Sequence, residues 1–260
     1  MAVTAAGAHL AEQHRQAQLQ VRARALRDYL ELWPLWRGDD DSFLRMAAAA
    51  FTLVQMYRGV SSSLAASFYE AFRLAEGVPG RPTPRLAPDV ERDRVVGTLW
   101  LLGRDKVQVR DDQLADAIDA LSVATRAAMQ SAFVETSGAV STYVLEGGRE
   151  TIVGSVKADP HAVGWARQTD GRPCAFCLML ASRGAVYKED TVGFQAHDHC
   201  GCSAVPVFDR NDPLPQNRRW LDVYNRATRE ARAAGELRRG TDNDLLNALR
   251  RYLSHERAGG

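Results

Sequence analysis

The stretch Pro173-Cys174-Ala175-Phe176-Cys177, followed by His197-Asp198-His199-Cys200-Gly201-Cys202, decides how this chain is read. It holds all 4 cysteines of a 260-residue sequence. A C-x₂-C pair puts two thiolates on one tight turn, from which both reach a metal at about 2.3 Å. The second half adds two thiols and two imidazoles. Between the halves, Arg183-Gly184 and Val186-Tyr187 read as a short hairpin or turn that returns the chain to the first knuckle. Tetrahedral zinc needs only four ligands. The expected set is Cys174 and Cys177 plus two or three of His197, Cys200 and Cys202. His199 is set aside, because neighbouring His199 and Cys200 would have to point the same way. A site closed by four protein ligands is structural, and it would tie together a small, weakly packed β segment.

Other readings of these residues are two disulfides, which the even count permits, and four unlinked buried thiols. The chain shows no basic start with an apolar core at its N-terminus, so a reducing compartment is expected and disulfides are disfavoured. Catalytic readings each lack a part, and one stays open as the alternative, a metal-dependent nucleic-acid enzyme that uses the Cys/His cluster. A zinc deaminase needs an upstream His-x-Glu, and His161-Ala162-Val163 lacks the glutamate. Asp198-His199 beside a cysteine pair suits a nuclease with a zinc knuckle, with His199 as base. Such an enzyme needs further ligands downstream, where only His255 follows, in a predicted helix. A redox role for Cys174 and Cys177 wants a βαβ setting, and a long helical run precedes them instead. Neither a phosphate loop nor a Gly-x-Ser-x-Gly or Gly-x-Gly-x-x-Gly motif is present.

Working outward, 33 basic against 32 acidic side chains leave a net charge of +1, which argues against coating nucleic acid by bulk electrostatics. A content of 45% hydrophobic residues suffices for a real core. Uninterrupted apolar runs stay short of the ~18 residues of a membrane span. The first part reads as helix. Leu19, Leu26, Leu30 and Trp33 mark one face from about residue 8 to Trp33, with Pro34 ending it. Further helices are expected from Phe43 to Gly59, capped by Asp39-Asp40-Asp41-Ser42, and from Ser62 to Glu76. Residues 77–88, which hold four prolines, read as an extended arm or linker. A helix near Asp89–Leu102 precedes a long one from Asp112 to Leu145, with Leu114, Ile118, Leu121, Thr125 and Met129 buried and Gly147-Gly148 as its stop. Ile152, Val153, Val156 and Val163-Gly164-Trp165 read as short strands. Two helices follow, Arg218–Ala234 and one capped by Thr241-x-x-Asp244 that ends near Glu256. His9, His14 and His255 are expected on helix surfaces without a role. Arg167 and Asp170 are expected to form an ion pair bracing the knuckle.

The expected architecture is therefore mainly α with a small α+β zinc-stapled module and an elongated helical N-terminal half. Its parts are 1–76 (helical), 77–88 (Pro-rich arm), 89–148 (long helix), 149–208 (Cys/His metal module) and 209–260 (basic helices). In the last part, Arg218, Arg219, Arg226, Arg229, Arg232, Arg238, Arg239, Arg250, Arg251 and Arg257 form either a DNA-facing surface or an ordinary solvated one.

Gly164-Trp165-x-Arg167-x-x-Asp170-x-x-Pro173-Cys174-x-x-Cys177, with Arg183-Gly184-x-x-Tyr187, Phe194-x-x-His197-x-x-Cys200-x-Cys202 and Pro206-Val207, resembles the phage Mu F-like minor head proteins, the head morphogenesis family. The versions in tailed phages of actinobacteria are most similar. The resemblance spans about residues 110–208 and is specific in the cysteine segment. By it, His197 rather than His199 takes the family histidine, and Cys200 and Cys202 take the final pair. It implies a non-enzymatic minor protein of the capsid interior, assembled in the host cytoplasm. Implied partners are the portal protein, the major capsid protein and packaged double-stranded DNA, with several copies around the portal and no membrane. Assembly, DNA packaging or DNA delivery are the implied roles. About fifty residues follow the motif, too few for the toxin or protease domain that some relatives carry.

Overall fold

A 28-residue helix, α1 (Ala5–Leu32), opens the fold. The Thr4 hydroxyl accepts from the Gly7 amide at 2.9 Å to cap it, and a 3₁₀ turn at Trp33–Leu35 containing Pro34 ends it. The structure is a computed structural model that describes residues 3–81, 83–107, 123–187, 193–209, 214–237 and 242–258. α2 (Asp40–Ala75) is followed by α3 (Arg92–Leu99), which runs on into a π turn at Trp100–Arg104. Then come α4 (Val123–Ala158), β1 (Gly164–Gln168), α5 (Ala175–Ser182), β2 (Ala185–Tyr187), β3 (Ser203–Val207), α6 (Pro215–Ala233) and α7 (Asp242–Ala258). The protein is mainly helical with a small α+β module. The start of the long helix near Asp112, its stripe of Leu114, Ile118 and Leu121, the Thr125 side chain, the Thr241 cap, and Arg238 and Arg239 lie outside the described residues.

Two expected helices prove to be one. α2 passes through Gly59 without a break. A glycine inside a helix costs about 1 kcal/mol relative to alanine, and the neighbouring Arg58 outweighs it. That guanidinium is buried and donates to the carbonyls of Pro88 at 2.9 Å and Tyr143 at 3.1 Å, and to the Glu150 carboxylate.

Gly147-Gly148 likewise stops nothing, and α4 continues to Ala158. Ile152, Val153 and Val156, expected as strand residues, are the helical face that packs against the sheet. Helices α1, α2 and α4 pack on one another, and the glycines are where they meet. A Cβ at Gly147 would sit 2.4 Å from the Arg58 carbonyl oxygen, and one at Gly148 would sit 2.8 Å from Gln18 Nε2 and Ser61 Oγ. The Gly148 amide instead donates to Ser61 Oγ at 2.9 Å.

The buried face of α1 is also rotated from the expected one. Ala11, His14, Gln18, Val21, Ala25 and Tyr29 point inward, while Leu30 is 54% exposed. Polar groups hold this register. Gln18 donates to the Ser61 carbonyl at 2.9 Å and accepts from the Ser61 hydroxyl at 2.6 Å. His14, expected on the surface, is buried and lies flat on Phe68 with ring centroids 4.3 Å apart. Towards the C-terminal end of α1, Trp33, Trp36, Phe43 and Trp100 meet edge to face, so Trp33 and Trp36 pack inside this chain. The Pro-rich arm is bonded along α2 and α4. The Ala87 amide donates to Thr151 Oγ1 at 3.0 Å, and the Arg85 amide donates to Ser155 Oγ at 2.9 Å.

The sheet has the order β2-β1-β3, antiparallel throughout, with Arg167 opposite Ala204 and Trp165 opposite both Val186 and Pro206. Trp165, Val205 and Val207 pack on Phe68, Phe72, Ile152 and Val156, which seats the sheet on α2 and α4. Helices α6 and α7 pack with α5 around Leu178, Trp220 and Leu249.

Two tests follow from this packing. Gly147→Ala should lower stability by about 1–3 kcal/mol despite its better helix propensity, because its methyl has no room. Gly154→Ala, whose Cβ would lie 3.6 Å from its nearest neighbour, should instead gain a few tenths to about 1 kcal/mol; urea unfolding compares the two. Burial pushes the His14 pKa down to about 3. The unfolded chain then takes up a proton near pH 6.5 that the folded chain refuses. Stability is therefore full above pH 6.5 and falls towards pH 3. About 2 kcal/mol should be lost between pH 7 and pH 5, and His14→Leu should flatten that slope in the same assay.

Candidate metal centre

Cys174 sits at the N-cap of α5, and its sulfur accepts from the Cys177 amide at 3.4 Å. The helix turn thereby carries Cys177 to the same side as Cys174. From residue 193 the chain returns past this turn. His199 adopts a left-handed conformation (φ 60°), and the Cys200 amide closes the turn onto the His197 carbonyl at 3.1 Å. β3 then leads away from Cys202, paired to β1.

This path collects five donors. His197 Nε2 lies 2.9 Å from Cys174 Sγ and 3.4 Å from Cys177 Sγ, and Cys177 Sγ lies 3.6 Å from Cys200 Sγ. Two groups of three have all their donor atoms within 4.8 Å of one another: Cys174, Cys177 and His197, and Cys177, Cys200 and Cys202. Cys177 belongs to both. All four cysteines are unbridged, so the disulfide reading is not what the structure contains. Cys177, Cys200 and Cys202 are buried, Cys174 is half-buried, and His197 reaches the surface.

The spacing suits a tetrahedral ion. Bonds of about 2.3 Å to sulfur and 2.0 Å to nitrogen give edges of roughly 3.8 Å between sulfurs and 3.5 Å between sulfur and nitrogen. The Cys177–Cys200 and Cys177–His197 separations are within a few tenths of those values. The ring is oriented for the purpose as well. Its Nδ1 is 2.7 Å from the Asp198 carbonyl oxygen, which only accepts, so Nδ1 carries a proton and the neutral ring leaves the Nε2 lone pair facing the sulfurs. Without an ion the thiols share protons. Hydrogen bonds from neighbouring thiols, Cys177 first, pull Cys200 far down, and the Cys177 hydrogen bond brings Cys174 to about 5. Cys177 is held high by the thiols it serves, Cys174 first. A bound cation would displace this shared proton.

Two buried guanidiniums flank the sulfurs. Arg167, on β1, was expected to pair with Asp170 and does not. Its Nη1 is 3.9 Å from both Cys177 Sγ and Cys200 Sγ, its Nη2 donates to the Gln195 carbonyl, and its guanidinium stacks 3.9 Å over the Phe194 ring. Asp170 turns the other way. Its carbonyl accepts from Arg15 at 3.3 Å and its carboxylate accepts from the Arg172 amide at 3.1 Å. The place of each in the fold explains the exchange, because Arg167 lies within β1, all of whose residues are buried, while Asp170 lies beyond its end.

Arg149, on α4, donates to the carbonyls of Cys202 at 3.0 Å and Cys200 at 2.6 Å. The sequence reading passed over it because it placed the end of the helix at Gly148. A continuous helix would have put Arg149 on the face of Ile152 and Val156. His199 stands apart from the donors, exposed, with its imidazole over Gly138 of α4, where a Cβ would come within 2.9 Å of Nε2.

The VG15 protein family model matches residues 6–227, most of the chain. The chain belongs to the VG15 protein family. Among curated proteins it is similar to the Gene 15 protein of Mycobacterium phage D29, 28% identical over 253 residues that cover 81% of this chain and 86% of that protein. The Gene 15 protein of Mycobacterium phage L5 is 31% identical over 156 residues, 41% of this chain and 53% of that one. No solved structure matches. The matched VG15 region includes the whole cysteine cluster and ends within α6. No helix among the described residues is long and apolar enough to cross a membrane.

Proposed function

We propose that this VG15 protein is a non-enzymatic minor head protein of a tailed phage, of the Mu F-like type. It would be bound in several copies at the portal or inner capsid and act in head assembly, DNA packaging or DNA delivery. The observation that carries the reading is the cysteine segment, whose Cys-x-x-Cys and His-x-x-Cys-x-Cys halves converge on one cluster. Matched relatives from mycobacterium phages support the viral setting. One zinc is held by Cys174, Cys177, His197 and Cys200, the donors joined by the 2.9, 3.4 and 3.6 Å contacts, with Cys202 a buried neighbour. Four protein ligands leave no coordination position for a substrate, which is the mark of a structural site. Bound there, zinc supplies a cross-link between the start of α5 and the strand-flanking loop. The helices present the contact surfaces. On α6, Arg218, Arg219, Arg226, Arg229 and Arg232 are exposed with only Asp222 and Glu230 among them, a face suited to packaged DNA.

Metal analysis of the reduced, purified chain should find about one zinc. Cys177→Ser, which removes the donor common to both groups, should abolish it, and His199→Ala should retain it. A metal-free wild-type chain would remove the zinc assignment. Mass spectrometry of purified virions from a phage encoding this chain should detect it at low copy number, in particles stripped of external proteins. Its absence from virions would overturn the head-protein reading.

A further inference from the structure

We infer that Arg167 is the fixed counter-charge of the metal centre, a positioning residue that makes the buried cluster suited to a divalent ion. The inference rests on the zinc assignment above and adds to it a requirement on the side chain that faces the sulfurs of Cys177 and Cys200. Arg167 is among the largest fully buried side chains of the protein, at 1% exposure. A buried guanidinium ordinarily needs a carboxylate, because desolvating an unpaired charge costs several kcal/mol. Two other buried arginines obey this rule, and Arg149, the second guanidinium beside the cluster, does not. Arg73 meets Asp159 at 2.8 Å, and Arg58 meets Glu150 and Glu146. Among the described residues, Arg167 has no carboxylate in contact. What it has is two sulfurs at equal distance, 3.9 Å each, one carbonyl and the face of one aromatic ring. Its Nε has no hydrogen-bond partner.

Charge addition gives the reason. A divalent ion with three thiolates and a neutral imidazole carries a net charge of −1, and Arg167 is the cation set directly against those sulfurs to offset it. Position matters as much as charge. The guanidinium lies between Cys177 of the first knuckle and Cys200 of the second, and its Nη2 grips Gln195, two residues before His197. It therefore sets the spacing between the two halves before an ion arrives. Arg149 has a different task, since it donates to the carbonyls of Cys200 and Cys202 rather than to their sulfurs, although the charges of those two thiols act on it ahead of that of Glu146.

The test uses the full reduced chain with Co²⁺ as a visible probe and Zn²⁺ in competition with a chromophoric chelator. The wild type, Arg167→Lys, Arg167→Gln and Cys177→Ser are compared. Second-shell changes at metal sites typically cost 10- to 100-fold in affinity. Arg167→Gln should lose that much, and its thiolate-to-cobalt absorption should move to longer wavelength, because the sulfurs no longer face a positive charge. Arg167→Lys keeps the charge but can reproduce neither the Phe194 stack nor the fork onto Gln195. It should keep the wild-type band position and recover only part of the affinity, the remainder being the loss of position. Equal losses in the Lys and Gln variants would show Arg167 acting by packing alone, and would overturn the inference while leaving the metal site standing. Wild-type affinity in Arg167→Gln would overturn it in the same way. Failure of the wild type to bind either ion, at the level of Cys177→Ser, would overturn both the inference and the zinc assignment beneath it.

Discussion

The absence of two side chains governs how this protein is put together. At Gly147 and Gly148 the backbone of α4 comes so near to Arg58 of α2 and to Gln18 and Ser61 that no Cβ fits. The contact recruits the polar groups around it. The Gly148 amide, the Ser61 hydroxyl and the Gln18 amide complete one another's hydrogen bonds in the dry space between three helices. Buried polar groups satisfied in this way fix a single register, because sliding any one helix would strand the others' donors. The Pro-rich arm then lies over the α2–α4 seam and uses Thr151 and Ser155, the next turns of the same helix.

The cysteine module depends on that seam. Arg149 follows the two glycines directly, and its side chain reaches the carbonyls of Cys200 and Cys202. The face one turn further on, Ile152 and Val156, is the floor on which the sheet rests. Each thiol-bearing segment is thus referenced to α4, either through a guanidinium or through the sheet that α4 supports. Two cations are buried beside the thiols, and the charge of Arg149 favours the thiolate of Cys200. Thiolates in such a setting could hold a metal ion.

The sequence was legible where chemistry is local. Cys174-x-x-Cys177 and the His197-to-Cys202 segment announce convergence by spacing alone, and Pro34 marks the end of α1 as expected. Legibility failed wherever a distant partner reversed a local preference. Gly147-Gly148 and Gly59 are helix breakers by propensity, yet they sit inside helices because tertiary contacts outweigh about 1 kcal/mol apiece. The face of α1 was misjudged because leucines were counted and Gln18 was not, although Gln18 has its partner 43 residues away. Arg167 and Asp170 were paired on proximity in sequence. The partners that Arg167 takes, Cys177, Cys200 and Gln195, are brought to it only by the fold.

The unbroken course of α4 bears on how such a chain can diversify. A helix of 36 residues is about 54 Å long, and here it has its first half in an all-helical bundle, Arg149 bonded to the cysteine segment and its last turns beneath the sheet. The cysteine segment therefore has no seam along which it could be cut out and grafted onto another scaffold. Its foundation is also the bundle's main beam, so recombination within α4 would ruin both parts together. Change is expected to enter instead through the ends and surfaces, such as the outer faces of α6 and α7, where new contacts can be tried without touching that beam.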